Sequence, residues 1–254
     1  MLELVPLRGR DDLVAQVFAP PIQGLWPRFM MHDPTADLYF EAPHFAACKD
    51  TAFAVVEPGR PAVAVGRAFA VPFAWEGIAG REALPDAGWD AVIRWAAEDR
   101  ALGRAPDALS ALEITLMPTH RGRGGSRIVL DAMRRRAAEL GLRHMVAPVR
   151  PTGKAAEPWT PMRDYAWRQN ADGLPADPWL RVHVRAGGRI EKVAPLSMTV
   201  AGTLADWRAW TGLPFDASGP VVVPGALVPV LASAEQDQAV YVEPNVWVRH
   251  VVPG

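Results

Sequence analysis

The residues most able to do chemistry form a loop of arginines and glycines between an apolar strand and an amphipathic helix. The segment from Leu112 to Ser126 has the sequence LEITLMPTHRGRGGS. Gly122, Gly124 and Gly125 would let the backbone turn tightly and bring its N–H groups close to a ligand. The first turn of the following helix would add unpaired donors and a positive dipole end. The pattern predicts an anion-binding loop, and a pyrophosphate is the anion that fits it best.

The spacing of this loop differs from that of the common nucleotide motifs. It matches neither the GxGxxG fingerprint nor the GxxxxGK[ST] of a P-loop. It resembles the coenzyme A loop of the GNAT acyltransferases, in which VxP at a strand end precedes R/Q-x-x-G-x-G/A. Leu116-Met-Pro118 resembles the strand end and Arg121-Gly-Arg-Gly-Gly-Ser126 the loop. Ser126 replaces the final Gly or Ala, a change that would be tolerated if its hydroxyl caps the helix.

The elements around the loop predict a strand, a crossover helix and a second strand. Apolar residues recur at helical spacing from Ile128 to Leu140, and Gly141 follows as a stop. The run from His144 to Val149 is expected to be the next, parallel strand. Further strands are predicted over 2–7, 51–56, 62–71 and 189–193, and helices over 11–18, 86–102, 162–169 and 179–185. The resemblance implies an α/β, GNAT-like mixed central sheet with flanking helices.

Two segments depart from a compact member of that family. Residues 150–178 form an insertion rich in Pro, Trp and Gly, and so long a connection is typical of a lid or binding loop. Residues 212–254 contain β-rich runs broken by prolines. We expect a GNAT-like acyl-CoA-binding domain over 1–211 and a C-terminal β extension over 212–254. The extension would pack on the sheet edge or reach a second subunit in a homodimer.

The resemblance implies acetyl-CoA or another acyl-CoA as substrate. Main-chain N–H groups near Leu116 and Met117 would hold the thioester carbonyl and the pantetheine arm. Amides of the loop would hold the pyrophosphate, which involves Arg121, Gly122, Arg123, Gly124, Gly125 and Ser126. The guanidinium groups of Arg121 and Arg123 suit phosphate oxygens. The alternative is that both are ordinary loop arginines exposed to solvent.

Three residues are candidates for proton transfer. In the family, a tyrosine four residues before the glycine that ends the fourth helix often protonates the departing thiolate, and Gly187 places His183 there. A histidine titrates near neutrality and would serve as this acid. Alternatively, His183 is structural and another group, such as Tyr165, donates the proton. Glu113, on the strand before the loop, is the candidate general base, and the alternative is a carboxylate paired with an arginine.

Composition excludes several other classes. The net charge is −1, and although arginines outnumber lysines 24 to 3, acidic residues balance them, so no nucleic-acid partner is expected. Cys48 is the only cysteine, and His32, His44, His144 and His250 are scattered, so we expect no metal site. No signal-like amino terminus or long apolar window occurs. A cytoplasmic protein without a membrane partner is therefore expected.

The resemblance implies an acyltransferase that moves an acetyl or acyl group from acyl-CoA to a small acceptor, expected to be an amine, by direct attack within a ternary complex. Trp159, Trp167 and Trp179 would line the acceptor pocket or serve in the core. One alternative is a catalytically weak GNAT-fold protein that binds acyl-CoA as a regulator or partner subunit. Another is transfer from an acyl carrier protein or decarboxylation of a malonyl group.

Overall fold

The strand and helix patterns of the sequence come together in one mixed sheet in the computed structural model, which describes residues 2–254. The strands are β1 (Glu3–Pro6), β2 (Ala52–Glu57), β3 (Arg60–Phe73), β4 (Ala108–Leu116), β5 (His144–Val149), β6 (Arg189–Gly202), β7 (Gly219–Val221), β8 (Val230–Ser233) and β9 (Gln238–Val251). The α-helices are α1 (Asp11–Val17), α2 (Pro20–Gln23), α3 (Asp37–Phe40), α4 (Ala42–Cys48), α5 (Gly88–Leu102), α6 (Gly125–Glu139), α7 (Met162–Tyr165), α8 (Pro178–Arg185) and α9 (Leu204–Thr211). The mixed α/β sheet with flanking helices is confirmed.

The sheet order places the predicted strand–helix–strand unit at its centre. Strands β1 to β4 are antiparallel neighbours, and β4 is parallel to β5 across the crossover helix α6. Strand β9 pairs with β6 on one side, and on the other side with β5 and then β8. The expectation that the C-terminal segment packs on the sheet edge is wrong for β9, because Val246, Trp247 and Val248 are fully buried inside the sheet. The domain boundary at 211 and the homodimer stay predictions.

The two parallel strands part toward their carboxyl ends. Pairing between β4 and β5 covers only Ala108–Ser110 and His144–Val146, although β4 continues to Leu116 and β5 to Val149. Main-chain groups of the last residues of β4 therefore have no partner strand on the β5 side. We call this gap the β4–β5 opening. Ligands of open α/β sheets bind at such carboxyl ends.

A hydrophobic cluster covers each face of the sheet. The α5 face carries one cluster, with Val92 and Trp247 among its members, and the α6 face carries the other, with Met133 and Leu180. Side chains alternate between these faces along each strand. No helix among residues 2–254 is long and apolar enough to cross a membrane.

The structure contains helices that the sequence analysis did not predict. Residues 19–50 form α2, α3, α4 and the 3₁₀ turns Arg28–His32 and Pro34–Ala36 on the α5 face. Prolines at N-terminal positions of several of these short helices fix the backbone but leave too few turns for a helical period to show. Helix α9 was also missed, although Thr203 and Asp206 form its capping box.

Candidate active site

The glycine loop takes the conformation that an anion-binding role requires. Gly122 and Gly124 have φ values of 74° and 73°, which residues with a Cβ rarely adopt. Gly124 is the N-cap of α6, so the helix begins at Gly125. Within residues 2–254, the main-chain N–H groups of 122–126 have no hydrogen-bond acceptor. The loop therefore presents a row of free donors at the positive end of a 15-residue helix.

The side chains of the loop behave differently from one another. Ser126 lies inside the helix and makes no capping hydrogen bond, so the condition under which we expected it to be tolerated is not met. Arg121 donates from Nε to the main-chain oxygen of Leu116 at 2.8 Å, which ties the loop to the end of β4. Arg123 is exposed and makes no ion pair within the described residues. Arg123 is therefore free to meet a phosphate, while Arg121 keeps only its terminal nitrogens for one.

The two N–H groups expected to hold the thioester face opposite ways. The N–H of Met117 donates to the oxygen of Val65 at 2.9 Å, so it belongs to the β3–β4 ladder and is not free. Main-chain groups alternate sides along an antiparallel strand. The N–H of Leu116 therefore points into the β4–β5 opening, as does that of Ile114. The structure favours Leu116 for the predicted role and not Met117.

A cavity of about 330 Å³ lies on the α5 face beside this opening. Its volume is at the lower end for small-molecule sites. Most of its walls come from residues 18–40, the segment that the sequence analysis left unassigned. The lining residues are Phe18, Gln23, Trp26, Met30, Met31, Ala36, Asp37, Phe40, Arg67, Trp89, Leu112, Glu113 and Met198.

Glu113 lines this cavity, and three hydrogen-bond donors fix its carboxylate. Its Oε1 accepts hydrogen bonds from Trp26 Nε1 at 2.9 Å, Arg67 Nε at 2.6 Å and Thr115 Oγ1 at 2.6 Å. Glu113 is thus paired with an arginine, and its role as general base stays a prediction. Its Oε2 has no hydrogen-bond partner in the described residues and is not among the sealed polar atoms. One fixed carboxylate oxygen is therefore open to a ligand.

Arg67 fixes the position of that carboxylate. Its Nη1 donates to the oxygen of Val17 at 3.0 Å and to Gln23 Oε1, and its guanidinium stacks on Phe18 and Phe69. Both side chains of the Arg67–Glu113 pair are nearly inaccessible to solvent. Losing one partner of such a pair leaves a buried charge uncompensated. The pair therefore locks Oε2 in one orientation.

A second carboxylate faces the cavity without a partner. Asp37, at the start of α3, is exposed and forms no ion pair within residues 2–254. Together with Glu113 it gives an otherwise apolar cavity two acidic groups and one arginine already committed to Glu113. The groups that remain free to contact a ligand therefore carry a net negative charge, which suits a cationic ligand with an apolar stem.

His183 lies in an environment that does not favour a general acid. It is buried on α8, its Nδ1 is 2.9 Å from His250 Nε2, and its ring packs edge-on against Trp179. Burial and then the neighbouring His250 lower the pKa of His183 well below its usual value. The imidazole is therefore neutral near pH 7 and has no imidazolium proton to give. The acid role of His183 stays a prediction.

Tyr165 is also occupied. Its hydroxyl donates to Asp177 Oδ2 at 3.0 Å, and Asp177 in turn caps α8 through the N–H groups of Trp179 and Leu180. Burial and then the Asp177 charge raise the pKa of Tyr165 above its usual value. The phenol keeps its proton but already shares it with a carboxylate. Its role as proton donor stays a prediction too.

The tryptophans of the insertion lie away from the cavity. Trp159 and Trp167 are 65% and 53% exposed, and Trp179 packs on His183. The indoles that line the cavity belong to Trp26 and Trp89. None of the three predicted tryptophans lines this cavity, because the chain after β5 packs on the α6 face, and their acceptor-pocket role stays a prediction.

One cluster has metal-ligand residue types. Ligand atoms of Glu76, Asp107 and His144 lie within 4.8 Å of one another. Arg143 already pairs with Glu76 at 2.5 Å and with Asp107 at 2.8 Å. The positive charge that the carboxylates need is thus supplied by the protein itself.

Comparisons with known proteins agree with this geometry. No family model matches the chain. The arginine N-acetyltransferase avaD of Aspergillus versicolor is 32% identical over an alignment that is 272 residues long with its gaps. The alignment covers 96% of this chain and 92% of that protein. The loading GNATL domain of CurA from Lyngbya majuscula aligns with a TM-score of 0.56 at 16% identity, over 99% of this chain and 97% of the other. The GphF GNAT-like decarboxylase in complex with isobutyryl-CoA aligns with a TM-score of 0.51 at 15% identity, over the whole of both chains.

Sequence and structure both place the chain in one family. The structural likenesses show the fold, and the 32% identity over nearly full length shows common descent with an N-acetyltransferase. The chain belongs to the GNAT family of N-acetyltransferases.

Proposed function

We propose that the chain transfers the acetyl group of acetyl-CoA to a nitrogen of arginine, or of a small molecule that carries an arginine side chain. The observation that carries this proposal is the open Oε2 of Glu113 in an apolar cavity that has Asp37 as a second acid. The relationship to an arginine N-acetyltransferase supports the same acceptor.

The donor would bind along the end of β4. The free N–H groups of 122–126 suit the pyrophosphate, and the exposed guanidinium of Arg123 suits the phosphate oxygens. The Leu116 N–H, which faces the opening, suits the pantetheine arm or the thioester carbonyl. The thioester would then lie between β4 and β5, next to the cavity on the α5 face.

The acceptor would bind in the cavity by charge and by apolar contact. A guanidinium has planar donors that pair well with carboxylates, so Asp37 is its natural partner, and Glu113 Oε2 is left for the attacking nitrogen. The methylene stem would pack against the aromatic and methionine side chains of the wall, such as Phe40 and Met30. A neutral acceptor of the same shape would lose the charge-assisted contact with Asp37.

The chemistry is a direct displacement. The acceptor nitrogen attacks the thioester carbonyl carbon, a C–N bond forms, and the C–S bond breaks as the electron pair leaves with sulfur. Glu113 Oε2 accepts the proton from the nitrogen, directly or through one water. Because Arg67, Trp26 and Thr115 hold the other oxygen, the base is aligned before the acceptor arrives.

The acceptor class is tested by comparing L-arginine with L-citrulline, which replaces the guanidinium by a neutral urea of nearly the same shape. We expect kcat/KM, measured by thiol release and product mass, to favour arginine by at least about tenfold, because a hydrogen bond to a charged group contributes about 1.5–3 kcal/mol. Asp37→Asn should reduce this preference mainly through KM. Asp216→Asn, which removes an exposed carboxylate away from the cavity, is the matched control. Equal rates for both acceptors would refute the assignment.

The role of Glu113 is tested separately with Glu113→Gln. Glutamine keeps the size and an oxygen for the three donors but cannot take a proton. We expect kcat to fall by about 10²–10⁴-fold, the usual contribution of a general base, with a smaller change in KM. An unchanged kcat would refute the base role and leave Glu113 only the structural role of pairing with Arg67.

A further inference from the structure

An arginine that the sequence analysis did not select lies at the β4–β5 opening. Arg150 directly follows Val149, the last residue of β5. Met145, Ala147 and Val149 point to the α6 face, so the alternation sends Arg150 to the α5 face, where Glu113 and the cavity lie. Its guanidinium carbon is 6.0 Å from the ring centroid of Trp26, the residue whose indole N–H bonds to Glu113.

The guanidinium is held by groups behind it. Nε donates to both carboxylate oxygens of Glu243, at 3.1 and 2.9 Å, and Nη2 donates to the oxygen of Gly225. Glu243 is completely buried on β9 and is itself fixed by Tyr241 and Asn245. Arg150 therefore cannot swing away from the opening.

One end of this arginine has no protein partner. Nη1 makes no hydrogen bond within residues 2–254, and it is not among the polar atoms sealed from solvent. A fixed cation with a free N–H group thus flanks the opening on the β5 side, and the open oxygen of Glu113 flanks it on the β4 side. Trp26 lies between the two.

We propose that Arg150 is a catalytic residue that stabilises the departing thiolate of coenzyme A through its free Nη1. The acceptor nitrogen forms the C–N bond, the C–S bond breaks, and the electron pair leaves on sulfur as a thiolate paired with the guanidinium. The proton of the nitrogen goes to Glu113 or to water, and the thiolate takes a proton from solvent after release. An arginine keeps its own proton throughout.

This role explains how the reaction proceeds without a free acid. His183 is neutral and buried, and the Tyr165 hydroxyl is bonded to Asp177. A preorganised cation at the site of developing charge is an alternative to protonation. The inference rests on acetyl transfer itself and not on which amine is the acceptor.

The competing explanation is that Arg150 only neutralises Glu243. Arg150→Met combined with Glu243→Gln distinguishes the two, because it removes both charges and leaves no buried ion unpaired. We expect a folded protein that binds acetyl-CoA but has kcat lowered by about 10²–10³-fold, as for removal of one preorganised donor. Arg150→Lys keeps the positive charge but lacks the planar pair of guanidinium donors, so its kcat should lie between that of wild type and that of the double variant. A kcat within about tenfold of wild type in the double variant would overturn the proposal.

A matched control removes another buried ion pair. Arg81 and Asp99 are paired at 2.7 Å away from the opening, and Arg81→Met with Asp99→Asn should lower stability but leave kcat close to wild type. If this control loses as much kcat as the Arg150 variant, the loss reflects general damage and the proposal fails.

A second measurement needs neither an acceptor nor a variant. Titration of coenzyme A bound to the wild-type protein, followed by the ultraviolet absorbance of its thiolate, gives the pKa of the bound thiol. A cation within contact distance should lower it by about 1–3 units from the pKa of free coenzyme A titrated in the same buffer. The shift should shrink in the double variant. A bound thiol that titrates at or above its ordinary value would overturn the proposal, whatever the acceptor proves to be.

Discussion

A buried pair of carboxyl groups beside the cavity should make the protein less stable as pH rises toward 8. Asp33, between the two 3₁₀ turns, faces Asp90 on α5, and both are nearly inaccessible. Asp33 Oδ2 and Asp90 Oδ1 are buried and accept no hydrogen bond from the described residues. Burial and then the Asp33 charge raise the pKa of Asp90 to about 8, so Asp90 holds a proton that it shares with Asp33.

The surrounding groups compensate this burial only in part. The exposed Arg94 is 3.8 Å from Asp90, and Thr35 donates its N–H to Asp33 Oδ1 at 2.9 Å. Two ionised carboxylates would therefore repel each other at the joint between α5 and the segment that carries Ala36 and the cavity wall.

The size and sign of the effect follow from proton linkage. The pKa of Asp90 rises from 3.8 in the unfolded chain to about 8 in the folded one. The folded state therefore binds more protons than the unfolded state between these two pH values. The contribution of Asp90 to the free energy of unfolding is fully present below pH 3.8 and is lost as pH rises through 8. Each unit is about 1.4 kcal/mol, so roughly 2–3 kcal/mol disappear between pH 6 and 8. For a chain of this length, Tm should fall by about 5–10 °C.

Asp90→Asn tests this reasoning because asparagine resembles the protonated acid. Thermal unfolding from pH 5 to 9 should lose most of its downward slope in the variant, which should be more stable than wild type above pH 7. Asp99→Asn is the control on the same helix: Asp99 is equally buried but paired with Arg81 at 2.7 Å, and its loss should destabilise by about 3–5 kcal/mol. An Asp90→Asn variant that keeps the wild-type slope, or that is less stable at pH 8, would refute the shared proton.

Two further predictions concern the loop and the histidine pair. Gly124→Val should abolish acetyl-CoA binding, measured by calorimetry, because φ at this position is +73° although no atom within 4 Å obstructs a Cβ; retained affinity would contradict the loop assignment. Burial lowers the pKa of His250 to about 4, and that of His183 is lowered as well, so stability should be lost as pH falls from about 6.5 to 4. His250→Gln should flatten that loss in acid unfolding curves, and an unchanged curve would show that the pair does not titrate as a buried unit.

Local signals account for the parts of the fold that the sequence predicted. Strand β5 was predicted at its observed bounds, His144–Val149, and α6 follows the glycine loop as expected. In both segments the apolar period, the glycine stops and the strand length agree with one another. The position of β9 depended instead on pairing with residues about 50 and 100 positions away, which no local pattern records.

The cavity could not be predicted for a related reason. Its wall comes from helices of 4 to 7 residues and 3₁₀ turns, which are too short to show a helical period. Arg67, Asp37 and Arg150 have no motif around them and are three charged residues among many. Only Glu113 could be recognised from the sequence, because it is a charged residue between apolar residues in the alternating pattern of β4. The sequence thus indicated the candidate base but not the groups that hold it.

The placement of the insertion bears on how the leaving group is handled. Lys154 is completely buried and donates to the oxygens of Glu157 and Leu227 at 2.7 and 2.6 Å, so residues 150–178 are tied to the segment before β8. Tyr165 and Asp177 complete this anchor, and their hydrogen bond would have to break before the phenol could protonate a thiolate. The other oxygen of Asp177 caps α8, so this carboxylate is fixed and cannot follow the phenol toward a thiolate. Stabilisation by a cation that is already in place requires no such loss, and Arg150 is the fixed cation with a free N–H group that the start of this insertion brings to the opening.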